Sequence, residues 1–463
     1  MPSTPCSSRK VHWVLLFIVW SMPFGLSADV NSKLHASKIT LSLSDTLKKV
    51  WSNDLSLARF DIAVKAFRDE GDAEHYLHDP TLFVAAQNLP TDTFDVDQEA
   101  MTQFRVGIRQ KLHRGDDHYI KKEMSDIDID IQYSEKKSHW RQLKLNTESA
   151  WLEAWYWQKS KQLIEEDRVF LTQVQDFIQS LYQVGAKDQS DLIGAELELM
   201  KLSEKRIVAD SHYRAYRNKL NTLASEKLVG DQLNENLVDL RNLVLDLTDS
   251  DFLMEQFLAH PDIQQLDERV NLMDKKVSLA KEYYKPSWEL EVSYGFRDGD
   301  NNDGSDRADL LSAGVSVQLP LFTKGKQDKV LSAEKYRKSA AENKRLEAIK
   351  KMRFQFENVY QQYLTAVEQR ALYEQKILPT LHLQKQSALQ SYESDKGDFR
   401  TVTDLFSKEQ NAKIKHQRLR VNEQLMMAKL NYWIGTDQQG MNMGLNRMES
   451  SGLDSHDMGG MGQ

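Results

Sequence analysis

Several stretches of this chain alternate apolar and polar residues with a period of two. Between 288 and 297, Trp288, Leu290, Val292, Tyr294 and Phe296 fall on one side, and Glu289, Glu291, Ser293, Gly295 and Arg297 on the other. Between 311 and 319 the apolar side is Leu311, Ala313, Val315, Val317 and Leu319, against Ser312, Gly314, Ser316 and Gln318. Earlier, Phe104, Val106 and Ile108 alternate with Gln103, Arg105, Gly107 and Arg109. Such alternation predicts strands with one apolar and one polar face. Residues 82–87 supply a fourth strand whose alternation is poorer. A soluble antiparallel sheet can alternate in this way, and so can the strands of roughly 9 to 11 residues that build membrane barrels.

Other stretches follow the helical period. Neither proline nor glycine occurs between Gly115 and Gly185, a length that as helix reaches about 100 Å at about 1.5 Å per residue. Later, Phe356, Tyr360, Tyr363, Leu364, Val367 and Ala371 mark one face at spacings of three and four. Narrow apolar stripes amid abundant charge suit helices packed side by side around water. Pro379 is expected to bend or break the second long helix. Residues 126–131 (Asp-Ile-Asp-Ile-Asp-Ile) alternate like a strand, yet their counterpart at 335–340 is plainly helical. We therefore assign them to helix.

That counterpart exists because the pattern is written twice. Asp79-Pro80-Thr81-Leu82 and Lys285-Pro286-Ser287-Trp288 open the two strand pairs. Leu112-His113-Arg114-Gly115 and Leu321-Phe322-Thr323-Lys324-Gly325 close them, and long helical stretches follow. Tyr182-Gln183-Val184-Gly185 and Tyr392-Glu393-Ser394-Asp395-Lys396-Gly397 mark the helical turns, followed by Asp191-Leu192-Ile193 and Asp404-Leu405-Phe406. Five landmarks keep one order at an offset of about 206 to 213 residues, which indicates duplication. The second turn reads as two residues longer than the first. The predicted partition is a signal peptide over 1–28 and a first repeat over 29–260, with strands at about 81–89 and 101–112 and a helical hairpin at about 116–228. A second repeat covers 261–437, with strands at about 287–297 and 310–319 and a hairpin at about 326–434, before a disordered tail over 438–463.

Composition changes this picture in two ways. Arg9 and Lys10, the apolar run 14–20, Pro23 and small residues ending near Ser27 or Ala28 have the three-part layout of a cleavable export signal. The apolar run is too short for a membrane span, which needs about 20 residues. The only cysteine, Cys6, would leave with that signal, so a mature chain has no thiol for catalysis, disulfides or metal. The net charge of −8 follows no tail or patch and gives nucleic-acid binding no support. Four strands cannot close a barrel, and an open sheet edge in lipid leaves backbone groups unsatisfied. Assembly of several copies removes the edges.

At this point the chain resembles the TolC-type outer-membrane efflux family, from about Leu41 to Gly435. The resemblance lies in the repeated strand–strand–long helix–turn–helix order and in the Tyr-x-x-Gly…Asp-Leu pattern at the turns. It implies an α+β membrane protein: a homotrimer with a 12-stranded β-barrel in the outer membrane, four strands per chain, continued by a long periplasmic α-helical barrel. It further implies a periplasmic membrane-fusion adaptor and an inner-membrane RND-type pump as partners. The turns would be periplasmic tips, placing Gly185, Ala186, Lys187, Gly397, Asp398 and Phe399 at an adaptor contact, although the glycines also serve simply as turn residues. Asp191, and approximately Asp404, match positions where acidic side chains ring a closed aperture. The same carboxylates also suit a helix cap or first turn.

The tail bears on cargo. Met441, Met443, Met448, Met458 and Met461 accompany His456, and thioether sulfur suits Cu(I) or Ag(I). Gln87-Asn88-Leu89-Pro90 with Met101-Thr102-Gln103 also resembles the heavy-metal branch of the family. Copper or silver efflux is the preferred reading; a drug-efflux or type I secretion channel of the same fold, or a soluble periplasmic coiled-coil scaffold, are the alternatives. The acidic loop Asp298, Asp300, Asp303, Asp306 and Asp309 lacks the glycine and terminal glutamate of a calcium loop. His75 with His78, and His113 with His118, show no supporting ligand cluster in sequence. Trp151 and Trp155, one helical turn apart, are expected between helices. No catalytic triad, phosphate loop or zinc motif stands out, so neither an enzyme nor a cofactor is expected.

Overall fold

A computed structural model describes residues 40–230, 232–241 and 249–434. In chain order the elements are β1 (Thr40–Leu41), α1 (Leu43–Ser52), α2 (Leu55–Ala73), β2 (Thr81–Gln87), β3 (Gln103–Lys111), α3 (Asp117–Gln183), α4 (Gln189–Leu223) and β4 (Gln232–Leu233). There follow α5 (Ser250–Leu258), α6 (Pro261–Glu282), β5 (Ser287–Phe296), β6 (Leu310–Gln318), α7 (Gln327–Leu372), α8 (Leu378–Glu393) and α9 (Phe399–Ile434). The signal peptide and the methionine-rich tail read from the sequence lie outside the described residues.

The alternating segment at 126–131 is helical, inside α3. That helix runs unbroken for 67 residues, about 100 Å at about 1.5 Å per residue. Its repeat counterpart is equally long but built in pieces: 46 residues of α7, a five-residue π-helical turn (Tyr373–Ile377) and 16 of α8. Pro379 sits at the start of α8. A proline inside a helix lacks the N–H and presses its ring on the carbonyl four residues back. The widened turn just before it relieves that clash, so the regular α-helix is interrupted beside Pro379, as expected, while the helical path resumes in α8.

Short helices start where side-chain caps satisfy their first amides. Ser42 Oγ accepts from Asp45 N at 3.0 Å and Asp54 Oδ1 from Ser56 N at 2.8 Å. Asp249 does the same for α5. Such caps contribute about 1 kcal/mol each.

The helices lie side by side. Beside the sheet the neighbours run in the order α2, α3, α6, α7; toward the far end they run α4, α3, α9, α8. The principal core sits midway, where Trp151 and Trp155 of α3 are fully buried with Leu152, Leu220, Val421 and Ala428. The two tryptophans thus pack between elements, as expected of them. Trp155 Nε1 donates to Asn234 O at 3.0 Å, tying α3 to a strap whose β4 pairs in parallel with β1. Replacing such a side chain by alanine costs about 3–5 kcal/mol.

The four longer strands form one antiparallel sheet in the order β2-β3-β5-β6. The β3–β5 pair joins the two repeats, with Phe104 opposite Phe296 and Ile108 opposite Val292.

His260 caps α6 from a fully buried position. Its Nδ1 accepts from Asp262 N at 3.2 Å, and Nε2 faces Tyr432 O at 3.2 Å. Burial pushes its pKa down from 6.5 to about 4. The unfolded chain therefore takes up this proton near pH 6.5 and the folded chain only near 4. The contribution is fully present above the higher value and is lost as pH falls toward the lower. In chemical unfolding, wild type should lose stability across that window faster than His260→Asn, by up to about 1.4 kcal/mol per pH unit. Parallel pH profiles for the two proteins would contradict this assignment.

Candidate membrane face and helical tips

Strand register decides which side chains share a face. Leu82 lies opposite Ile108, Val84 opposite Val106, Val106 opposite Tyr294, Leu290 opposite Val315 and Trp288 opposite Val317. All the apolar positions of the alternating strands therefore fall on one side, and that side is open to solvent, with Val84 at 74% and Val315 at 61% exposure. Monomeric soluble proteins rarely expose so large a contiguous apolar patch. Aromatic residues sit toward its two ends, with Trp288 near the helices and Phe104, Tyr294 and Phe296 near the loops. From Trp288 to Phe296 is about 26 Å along a strand, close to the apolar band of about 25 Å on outer-membrane barrels.

The opposite side is polar and internally paired. Arg105 and Arg109 both bond Glu291, at 2.9 and 2.7 Å, and Arg105 also reaches Gln87 at 2.9 Å. Gly107 is required beneath this network, because a Cβ there would lie 2.5 Å from Ser293 Cβ and 2.7 Å from a backbone oxygen. Asn88, in the left-handed region (φ 57°), donates to Met101 O at 3.1 Å, and Thr102 Oγ1 donates to Asn88 O at 2.9 Å. The segment that resembled a heavy-metal branch thus closes the β2–β3 loop. The acidic loop is held at its base, where Arg307 donates to Asp97 O at 2.9 Å and Arg297 to Ala100 O at 3.1 Å.

Among the described residues both borders remain open. β2 and β6 each have one unpaired edge. The bordering helices expose apolar side chains as well: Leu55 and Ile62 on α2, Met200 and Ile207 on α4, Tyr336 and Phe354 on α7, and Leu383 on α8. One border belongs entirely to the first repeat and the other to the second.

At the far end the two helical turns meet. After α3, Ala186 N bonds Leu181 O and Gly185 N bonds Tyr182 O, both at 2.9 Å, with Gly185 at φ +73°. After α8, Lys396 N bonds Ser391 O at 2.9 Å and Asp395 N bonds Tyr392 O at 3.1 Å, with Asp395 at φ 59°. Both are the same helix-ending motif, which needs one left-handed residue. The counterpart of Gly185 is therefore Asp395, not Gly397, and the turns are equal in length. Aspartate tolerates that conformation better than most residues. The same offset makes Thr401, not Asp404, the counterpart of Asp191. Gly397 serves close approach instead: a Cβ there would lie 3.0 Å from Ser391 Cβ and 3.1 Å from backbone.

Lys187 bridges the turns, with Nζ 2.6 Å from Asp395 Oδ1 and 4.3 Å from the centre of the Tyr392 ring. Tyr392 is buried, and its hydroxyl donates to Asp191 Oδ2 at 2.9 Å. Burial, reinforced by that carboxylate, pushes the Tyr392 pKa up. Asp398 Oδ1 accepts from Arg400 N at 3.0 Å. Phe399, expected at an exposed contact, is 3% exposed and packs on Tyr392 with ring centres 5.4 Å apart. The apolar ring has a better environment inside the tip than outside it. Asp404 is exposed and pairs with Lys408 at 2.7 Å. Gly185 and Ala186 are exposed.

Sequence reasoning missed a belt of polar groups above the tips, gathered around the buried Glu409, Gln410 and Asp167. Burial alone would raise the pKa of Glu409, but hydrogen bonds from Lys385 and His382, with Lys413 nearby, outweigh it and hold the carboxyl below its ordinary value. Lys413 also lies 3.4 Å from Asp167 on α3. Lys205 of α4 reaches Gln410 and Asn411 at 2.7 and 2.9 Å. Polar groups drawn from four separate helices carry no periodic signal, so nothing in the sequence singled them out.

No protein-family model matches the chain, and no curated protein matches it. Solved structures do. CusC, described in terms of folding and transmembrane channel formation, superposes with a TM-score of 0.71 at 14% identity, over 86% of this chain and 92% of that one. The outer-membrane channel OprN gives 0.70 at 16%, over 85% and 89%. The outer membrane protein VceC of Vibrio cholerae gives 0.67 at 13%, over 85% and 96%. At such identities the likeness establishes the fold, a TolC-type architecture of a short sheet continued by a long helical bundle.

Tyr392→Phe removes the donor to a half-buried carboxylate at a cost of about 1 kcal/mol, or about fivefold in the population of opened tips. Limited proteolysis should therefore cut the two turns about fivefold faster. An unchanged rate would mean that the Tyr392–Asp191 bond does not hold them.

Proposed function

We propose that this chain is the outer-membrane channel of a tripartite efflux or export system and works as a cyclic homotrimer. The observation that carries this reading is the sheet: apolar outside, ion-paired inside and open at both edges. An open edge in lipid would cost several kcal/mol for each unsatisfied backbone group. Pairing β6 of one copy with β2 of the next removes both edges at once. The same rotation brings the exposed apolar residues of α7 and α8 against those of α2 and α4. Such a head-to-tail contact is heterologous and closes into a ring. Three copies give twelve strands, the number the TolC-type resemblance implies. Arg105, Arg109 and Glu291 would then line a water-filled lumen, and the helices would continue the tube into the periplasm. Conduction through it is passive, and an inner-membrane pump, RND-type in the expected pairing, supplies the drive.

The tips are the proposed end for a periplasmic membrane-fusion adaptor. Gly185, Ala186, Gly397 and Asp398 are open for that contact, while Lys187 serves mainly to hold the two turns together and Phe399 is left out by its burial. Asp191, bonded to Tyr392, is the preferred aperture residue. Asp404 faces solvent on α9 and is the weaker of the two.

A broad efflux or export cargo is the better-supported reading. Copper or silver rests on the composition of the tail at Met441, Met443, Met448, His456, Met458 and Met461, outside the described residues. A deletion strain compared for metal and drug sensitivity, with complementation by a chain ending at Gly435, separates these cargoes. Metal sensitivity rescued only by the full chain would favour the ions.

The mature protein should fractionate with membranes and form conducting pores in planar bilayers. Val315→Arg places a charge on the lipid-facing side, at a cost of about 2–4 kcal/mol near the bilayer midplane. It should sharply reduce heat-stable, membrane-inserted trimer. A protein that stays soluble without detergent, or a Val315→Arg variant that inserts normally, would sink the channel reading in favour of a periplasmic scaffold.

A further inference from the structure

The histidines that found no ligand partner in sequence are gathered by the fold. His75 and His78 lie in the connection from α2 to β2, His113 in the turn after β3, and His118 in the first turn of α3. The rings of His113 and His118 stack with centres 4.3 Å apart at 23°. His78 lies 5.7 Å from His113, and His75 lies 6.4 Å from His118, between ring centres. Asp117 stands between the stacked pair, its Oδ1 3.7 Å from Nδ1 of His113 and 3.9 Å from Nδ1 of His118.

Those separations are too long for hydrogen bonds. They suit ligands about to share a cation: with bonds of about 2.0–2.1 Å, neighbouring donors of a tetrahedral site lie about 3.3 Å apart. One donor atom from each of His113, Asp117 and His118 already falls within 4.8 Å of the others. Moreover, His113 Nε2, Asp117 Oδ1 and His118 Nδ1 are all buried without a hydrogen-bond partner. Buried polar atoms nearly always have one. An ion bound through Nδ1 of His113, Oδ1 of Asp117 and Nδ1 of His118 would satisfy two of these three orphans at once, leaving His113 Nε2 for an outer hydrogen-bond partner.

The surrounding backbone is fixed in advance. Gly115 adopts φ +58°, and a Cβ there would collide with Glu282. Asp116 N donates to the same carboxylate at 2.9 Å, and Lys285 holds Asp116 at 2.9 Å. The turn carrying His113 and Asp117 is thus anchored on the end of α6 before any ion arrives.

We infer that His113, Asp117 and His118 form a binding site for a divalent transition metal of the zinc class, completed by His78 or His75 after a rotamer change. Two or three imidazoles and one carboxylate match that class, whereas Ca2+ and Mg2+ prefer all-oxygen shells and Cu(I) prefers sulfur. The ion is resident rather than cargo. It would clip the chain entering β2 to the start of α3, where the sheet meets the helices. The site is independent of the efflux reading, which stands or falls on membrane insertion.

The test uses the full detergent-solubilised chain carrying His456→Ala, which removes the one histidine of the methionine-rich tail. Titration with Zn2+ by calorimetry should show one saturable site per chain, and Co2+ should give the visible absorption of a low-coordinate nitrogen–oxygen site. His113→Ala with His118→Ala should weaken Zn2+ binding at least about a hundredfold, and His75→Ala or His78→Ala by about tenfold for whichever completes the shell. Asp117→Asn preserves shape, so its loss of affinity at unchanged helical circular dichroism separates ligation from misfolding. His382→Ala, at an exposed histidine, should change nothing. Absence of saturable binding, or binding that survives the double variant or equals it in His382→Ala, would overturn the site.

Discussion

Backbone groups at the edge of a sheet must find partners, and lipid offers none. That constraint organises this molecule. β2 and β6 are its two edges among the described residues, and the apolar positions of the alternating strands between them point outward together. Packing the outward face inside the monomer is also barred, since the opposite face is occupied by Arg105, Arg109 and Glu291 in mutual contact. A sheet with one charged side and one greasy side, and with neither edge closed, is what the proposed ring of identical sheets, with lipid outside and water within, would accommodate.

The helices obey the same geometry. A ring of strands can continue into a ring of helices only if the two layers share their borders. They do: the first repeat supplies one border through β2, α2 and α4, and the second supplies the other through β6, α7 and α8. Matching also demands equal lengths, and the 67 residues of α3 are met by α7, the π turn and α8. The π turn lets a helix containing Pro379 keep pace with one that contains no proline.

Periodicity made much of this legible. The strands of the alternating segments, the long helices and the repeated order of landmarks all follow from sequence pattern, whereas the trimeric barrel of the expected fold class is what the TolC-type resemblance implies. Elements without strong pattern escaped. The short helix α1 and the strap of β1 and β4 are held by a cap and by burial in the cluster around Trp155, and α5 by its Asp249 cap and by Phe257 packed on Phe356, which are tertiary facts. The turn residues were half legible. Tyr392 and Gly397 marked the second tip, but aligning glycine with glycine gave the wrong register, because Asp395 adopts the left-handed conformation there. The histidine cluster was invisible for a related reason. His75 and His118 are brought together by the return of the chain through a strand hairpin, and no local spacing encodes that.

The same register reveals where the two repeats stop being equivalent. At the left-handed position one turn has Gly185 and the other Asp395; two residues on, one has Lys187 and the other Gly397. The exchange is complementary. Lys187 can reach Asp395 and lie on the Tyr392 ring because the opposing turn carries a carboxylate where its own carries none. Had the second turn kept a lysine at 397, its Cβ would press on Ser391 and its charge would oppose Lys187. The Lys187 hydrogen bond holds the Asp395 carboxyl below its ordinary pKa, so the bridge stays charged at neutral pH. Two turns of identical backbone have thus become a donor and an acceptor for each other. That asymmetry lets two turns of the same fold clasp each other beside the small apolar cluster of Ile178, Tyr392, Phe399 and Val402 that closes the end of the long helices.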